Sequence, residues 1–128
     1  MANGRMTLSK RGEEILHQVM IELDMKEKRP NALRIAFAKG LREYNGVPEK
    51  KERKASKFVI PSGVIAKGEE YLLFKHLIIN KVGKSLDGKE IDEFMLLFIE
   101  EGLEIMEQEI SSMSNLDNYL LTLASKHK

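Results

Sequence analysis

At 128 residues the chain has room for one hydrophobic core, and 42% apolar with 32% charged residues is the balance of a globular protein in water, so a single domain over residues 1–128 is expected. The absence of cysteine removes disulfides, thiolate metal ligands and cysteine nucleophiles. With only His17, His76 and His127 scattered along the chain, no metal, no cofactor and little covalent chemistry of its own are expected. The formal net charge of +1 hides a division: residues 1–67 carry 15 Lys+Arg against 8 Asp+Glu, and residues 68–128 carry 6 against 12, which aims the first half at a polyanion.

Arg5, Met6, Thr7 and Leu8 alternate in character and lead into Ser9, a good helix N-cap. Gly12, Ile15, Leu16, Val19, Met20 and Leu23 then share one face of a first helix, expected from Lys10 to Leu23. A second helix is expected from Pro30 to Tyr44, where Leu33, Ala36, Phe37, Gly40, Leu41 and Tyr44 recur at spacings of three and four, and "YNGVP" ends it. Next comes a connector, residues 46–61, in which Lys50, Lys51, Arg53, Lys54 and Lys57 face only Glu49 and Glu52. Its end, "FVIPSG", reads as an extended piece of two or three residues bounded by Pro61 and Gly63.

A third helix is expected from Lys67 to Lys81, closing at Gly83. Asp87 and Glu90 form an acidic capping box that opens a fourth, running to Ile110. That helix is apolar on two sides, one through Ile91, Met95, Phe98, Gly102 and Met106 and the other through Leu96, Ile99 and Leu103. The second side is read as a seam with another subunit. Asn115 caps a last short helix, and residues 125–128 are a tail. The fold class expected is all-α, a compact bundle of about five helices with a short extended N-terminal segment. No apolar run reaches the roughly 20 residues of a bilayer span. The N-terminus has no apolar signal region, so a cytoplasmic protein without membrane contact is expected.

Chemical motifs are thin. "GVIAKGEE" has the glycine spacing of a phosphate loop but places Glu69 and Glu70 where that loop needs Lys and Ser or Thr, so no nucleotide site is expected. Glu90, Asp92, Glu93, Glu100, Glu101 and Glu104 have no histidine beside them and read as a solvated helix face. The serines of the first half have no base nearby, which leaves nucleophilic catalysis without support. "RMTLS" followed by two helices imitates a ribbon-helix-helix regulator, in which Arg5 and Thr7 would read bases. The lysine-rich connector suits phosphate contact, since flexible cations can follow a nucleic-acid backbone and release counterions. A solvated loop would have the same composition.

Four stretches, "RMTLSKRGEEILHQV", "RPNALRIAFAKGL", "GVIAKGEEYLLFKHLI" and "FMLLFIEEGLEIMEQEI", together resemble the DNA sulfur-modification protein DndE family of the bacterial DNA phosphorothioation system, over roughly Arg5 to Ile110. The resemblance implies an all-helical homotetramer that binds double-stranded, preferably nicked, DNA. It further implies partners that supply the iron-sulfur and ATPase components. The reading is therefore a non-catalytic DNA-binding accessory subunit. Its expected DNA contacts are Lys26, Lys28, Arg29, Arg34, Lys50, Lys51, Arg53, Lys54 and Lys57, and its expected oligomer interface is Leu96, Ile99 and Leu103. A ribbon-helix-helix transcription regulator and a protein-docking scaffold that does not bind DNA are the alternatives.

Overall fold

The computed structural model describes residues 5–25, 28–50 and 53–126, with side chains except those of residue 5, residue 62 and residues 114–126. The order is β1 (Arg5–Ser9), α1 (Lys10–Glu22), α2 (Arg29–Glu43), β2 (Ala55–Pro61), α3 (Ser62–Ile65), α4 (Glu69–Val82) and α5 (Gly88–Lys126). The fold is mostly helical, with one small two-stranded sheet. Among the described residues no helix is long and apolar enough to cross a membrane.

The element boundaries have local causes. Ser9 accepts the Gly12 amide at 2.9 Å and starts α1, and Asp24, at a φ of 54°, turns the chain out of it. Pro30 sits in the first turn of α2, where a missing N–H costs nothing. Gly83 closes α4 in the left-handed conformation, its amide returning to the Ile79 carbonyl at 2.8 Å. The capping box of α5 forms reciprocally: the Glu90 amide donates to Asp87 Oδ1 at 2.8 Å and the Asp87 amide to Glu90 Oε1 at 3.1 Å.

Three sequence expectations are corrected. The extended piece is a seven-residue strand that pairs antiparallel with β1, Met6 opposite Ile60 and Thr7 opposite Val59, with a bulge before Ser9. Pro61 ends it rather than shortening it, because the final position of an edge strand needs no N–H in the ladder. There is no separate helix at Asn115: α5 runs unbroken through residue 126, since no glycine or proline lies between residue 103 and residue 126. Ile99 and Leu103 are not a seam; both have no exposed surface within this one chain. A helix apolar on two sides is here the central one, covered by α2 and by β1 and α1.

The α2–α5 packing is unusually close. A Cβ on Gly40 would lie 1.9 Å from the Phe98 carbonyl oxygen, and one on Gly102 would lie 1.7 Å from that of Ala36, so the two backbones touch. Around this contact Phe37 stacks on Phe74 at 4.6 Å and meets Phe98 edge-on at 6.2 Å. Tyr71 ties α4 to α5 by donating its hydroxyl to Asp92 at 3.2 Å. Burial first, then the Asp92 charge and this hydrogen bond, push the phenol up to about 12.

Gly40→Ala and Gly102→Ala should each cost about 3 kcal/mol of stability in urea melts followed by circular dichroism. Gly63→Ala, whose nearest neighbour would be 3.9 Å away on a flexible lysine stem, should change it by less than about 1 kcal/mol. Equal effects at the three sites would refute the contact. The raised pKa of Tyr71 means that its contribution is present below the ordinary tyrosine value of about 10 and is lost as pH rises toward 12. Ultraviolet titration should therefore show a late phenol that is absent in Tyr71→Phe.

Candidate nucleic-acid interface

The connector between α2 and β2 does not stand free. Arg53 donates Nη1 to Glu100 Oε2 at 2.8 Å, and its Nη2 lies 3.3 Å from Glu104 and 3.5 Å from Glu101. Glu100 also receives the Ser9 amide at 2.9 Å and the Ser9 hydroxyl at 2.7 Å. A Cβ on Gly12 would come within 2.6 Å of Glu100 Oε1, so the carboxylate reaches this position because residue 12 has no side chain. Glu100 thus occupies the place an external anion would take at the start of α1, where amides and helix dipole favour negative charge. The acidic residues are a solvated face only in part: Glu93 is exposed and Glu90 and Glu104 are half-buried, but Asp92, Glu100 and Glu101 are buried. Charge type argued for water, and an arginine 47 positions away in sequence supplied the partner instead.

This arrangement sorts the expected contacts. Arg53 is held in the clasp, its side chain only 20% exposed. Arg34 donates to the Ile65 carbonyl at 2.6 Å and to Asn31 at 3.0 Å, and faces Glu70 at 3.8 Å, so it ties α2 to α3 and α4. Arg29 is exposed and lies over the Phe58 ring at 4.5 Å, with exposed Lys28 beside it. Lys50, Lys54 and Lys57 are exposed and have no carboxylate partner among the described residues. Lys26 and Lys51 lie outside the described residues.

One cation was missed. The Lys10 amide donates to the Lys54 carbonyl at 2.9 Å, which sets exposed Lys10 beside the connector. Only the pairing of β1 with β2 reveals this, because the two lysines are far apart in sequence. Lys50 lines a cleft of about 160 Å³ with Thr7, Glu49, Arg53 and Leu96, next to the clasp. Lys57 is on the outward side of β2, where exposure alternates along the strand. The clasp therefore fixes a segment whose Lys50, Lys54 and Lys57, with Lys10, face solvent. In contrast, Lys39 is engaged by Glu109 at 2.8 Å and Glu43 at 3.1 Å; hydrogen bonds to Glu109 and then Glu43 raise its pKa.

Fold and site together define a small, mostly helical protein with a long central helix, a closing two-stranded ribbon and lysines left free beside an internally neutralised arginine. No protein-family model and no curated protein matches the chain. Among solved structures the fold is shared with DndE, a protein involved in DNA phosphorothioation, in a crystal structure of a glycine-to-lysine mutant. The TM-score is 0.61 at 18% identity, covering 84% of this chain and 99% of that one. The likeness read from the four sequence stretches is thus matched at the level of the fold.

Arg53→Gln should lower stability by about 3 kcal/mol, since it leaves buried carboxylates without their guanidinium. Lys54→Gln, on an exposed side chain, should stay within about 0.5 kcal/mol of the parent. Thermal melts compare them, and an Arg53 variant as stable as the Lys54 one would show the clasp to be idle.

Proposed function

We propose that this chain is a non-catalytic DNA-binding accessory protein of DNA phosphorothioation, which self-associates and holds duplex DNA, nicked duplex included, through phosphate contacts beside iron-sulfur and ATPase partners. The observation that carries this reading is the fold shared with DndE over nearly the whole of that chain. The chemistry of the connector supports it, because Lys50, Lys54 and Lys57, with Lys10 of α1 beside Lys54, are exposed cations flanking the anchored Arg53 rather than paired in place. An anchored segment loses less conformational entropy on meeting a phosphate backbone than a free loop would. Lys28 and Arg29 at the start of α2 extend the same role. Arg53 and Arg34 act inside the chain, as struts for the surface.

The ribbon-helix-helix alternative loses its main support. β1 is paired within this chain, and its solvent face sets Thr7 opposite exposed Val59, which offers no hydrogen bond to a base edge.

Fluorescence anisotropy with labelled duplex across a salt series tests the proposal. Six phosphate-contacting cations, the four lysines with Lys28 and Arg29, give a slope of log affinity against log salt of roughly −5.4 per protomer. Changing Lys10, Lys50, Lys54 and Lys57 to Gln should flatten it to roughly −1.8, the share of Lys28 and Arg29. Arg53→Gln should leave the slope unchanged, since a cation already neutralised releases no counterions. Random-sequence competitor should displace the probe with little discrimination, against the thousandfold or more of an operator-reading regulator. An unaltered slope in the quadruple variant would overturn the lysine surface, and strong preference for one sequence would restore the regulator.

A further inference from the structure

Arg29 does nothing for the helix it opens. The dipole of α2 disfavours a cation at that end, no acidic side chain stands in the first turn, and among the described residues no carboxylate pairs with the arginine. What it meets is a ring: its guanidinium lies 4.5 Å over Phe58 of β2. Phe58 is half-buried against the core, which fixes the ring, whereas Arg29 is exposed and keeps its guanidinium open to solvent.

The same arginine borders a cavity of about 270 Å³ that His17, Met20 and Ile21 of α1 complete. Phe58 does not line it, so the guanidinium stands between the ring and the open space. Ile21 is 67% exposed, an apolar side chain left in water beside a cation, and His17 is exposed with an imidazole that can donate or accept a hydrogen bond. An apolar wall, a planar cation backed by a fixed ring and a hydrogen-bonding imidazole suit a flat aromatic group with polar edges. Exposed Lys28, next to Arg29, suits one that is joined to a phosphate.

We propose that this cavity takes an unpaired nucleobase at the end of a DNA strand, stacked against Arg29, with Met20 and Ile21 as its apolar wall and His17 at its polar edge. A base inside a duplex cannot enter, because both of its faces are covered by its neighbours in the stack. The inference rests on the DNA-binding reading and adds to its phosphate contacts a contact with the base itself. It also gives a reason for arginine at position 29, since a lysine there would carry the charge without a planar face to stack on.

Two probes separate base from backbone: a duplex with a short single-stranded overhang, and the same duplex with that overhang abasic, so that every phosphate is kept. In anisotropy titrations the parent should bind the overhang that carries bases roughly tenfold tighter. Arg29→Lys, which keeps the charge and loses the plane, should bring that ratio down to about one and leave the salt slope as it was. Lys57→Gln is the contrast, because Lys57 lies on the opposite side of β2 from Phe58. It should weaken both probes alike and preserve the ratio. Both substituted side chains are exposed, so circular dichroism should show the parent's helix content in each variant. Equal affinity of the parent for the two probes, or a ratio that survives Arg29→Lys, would overturn the base site while leaving the phosphate contacts standing. Binding of neither probe would overturn both.

Discussion

A carboxylate from the middle of the longest helix lies at the first turn of the first helix, and much of the molecule is arranged around it. Glu100 takes two hydrogen bonds from Ser9 and one from Arg53, which locks β1, α1, the connector and α5 at one point. A buried carboxylate is tolerable only when its lone pairs are filled and its charge is met. Each neighbour answers part of that demand. Ser9 gives an amide and a hydroxyl, Arg53 gives the opposite charge, and Gly12 gives the space.

Two residues further along α5, Gly102 meets the opposite side of the structure. Two residues are about 200° of helical rotation, so Glu100 and Gly102 point away from each other, one toward α1 and the ribbon and one into the backbone of α2. The flanking Ile99 and Leu103 fill the space between and reach no solvent. α5 is thereby held on both sides by polar bonds on one and by backbone contact on the other. This explains how a helix rich in glutamate can be the core of the fold.

Much of this was legible in the residues, and the failures share a cause. Ser9 as a cap, the Asp87–Glu90 box, Pro30 in a first turn and the three-and-four spacing of α1 and α2 are local signals, and each element stands where they place it. Glu100, Glu101 and Arg53 depend on one another across the fold, and no local pattern links position 53 to position 100. For Ile99 and Leu103, periodicity shows that a helix has two apolar sides but cannot say what covers the second. Only strand pairing carries Lys10 to Lys54. The connector's basic run is therefore two things at once: one arginine that builds the fold, and lysines that the fold presents.

The division of labour between Arg53 and its neighbours is the centre of this account, and it can be observed directly on the unmodified protein. In a nuclear magnetic resonance titration with short duplex DNA, the side-chain ammonium and backbone signals of Lys10, Lys54 and Lys57 should shift with added duplex, while the Arg53 guanidinium signal stays in place. Movement of the Arg53 signal together with still lysines would contradict the account, because it would mean that the clasp opens to DNA and that the arginine, not the lysines, is the contact.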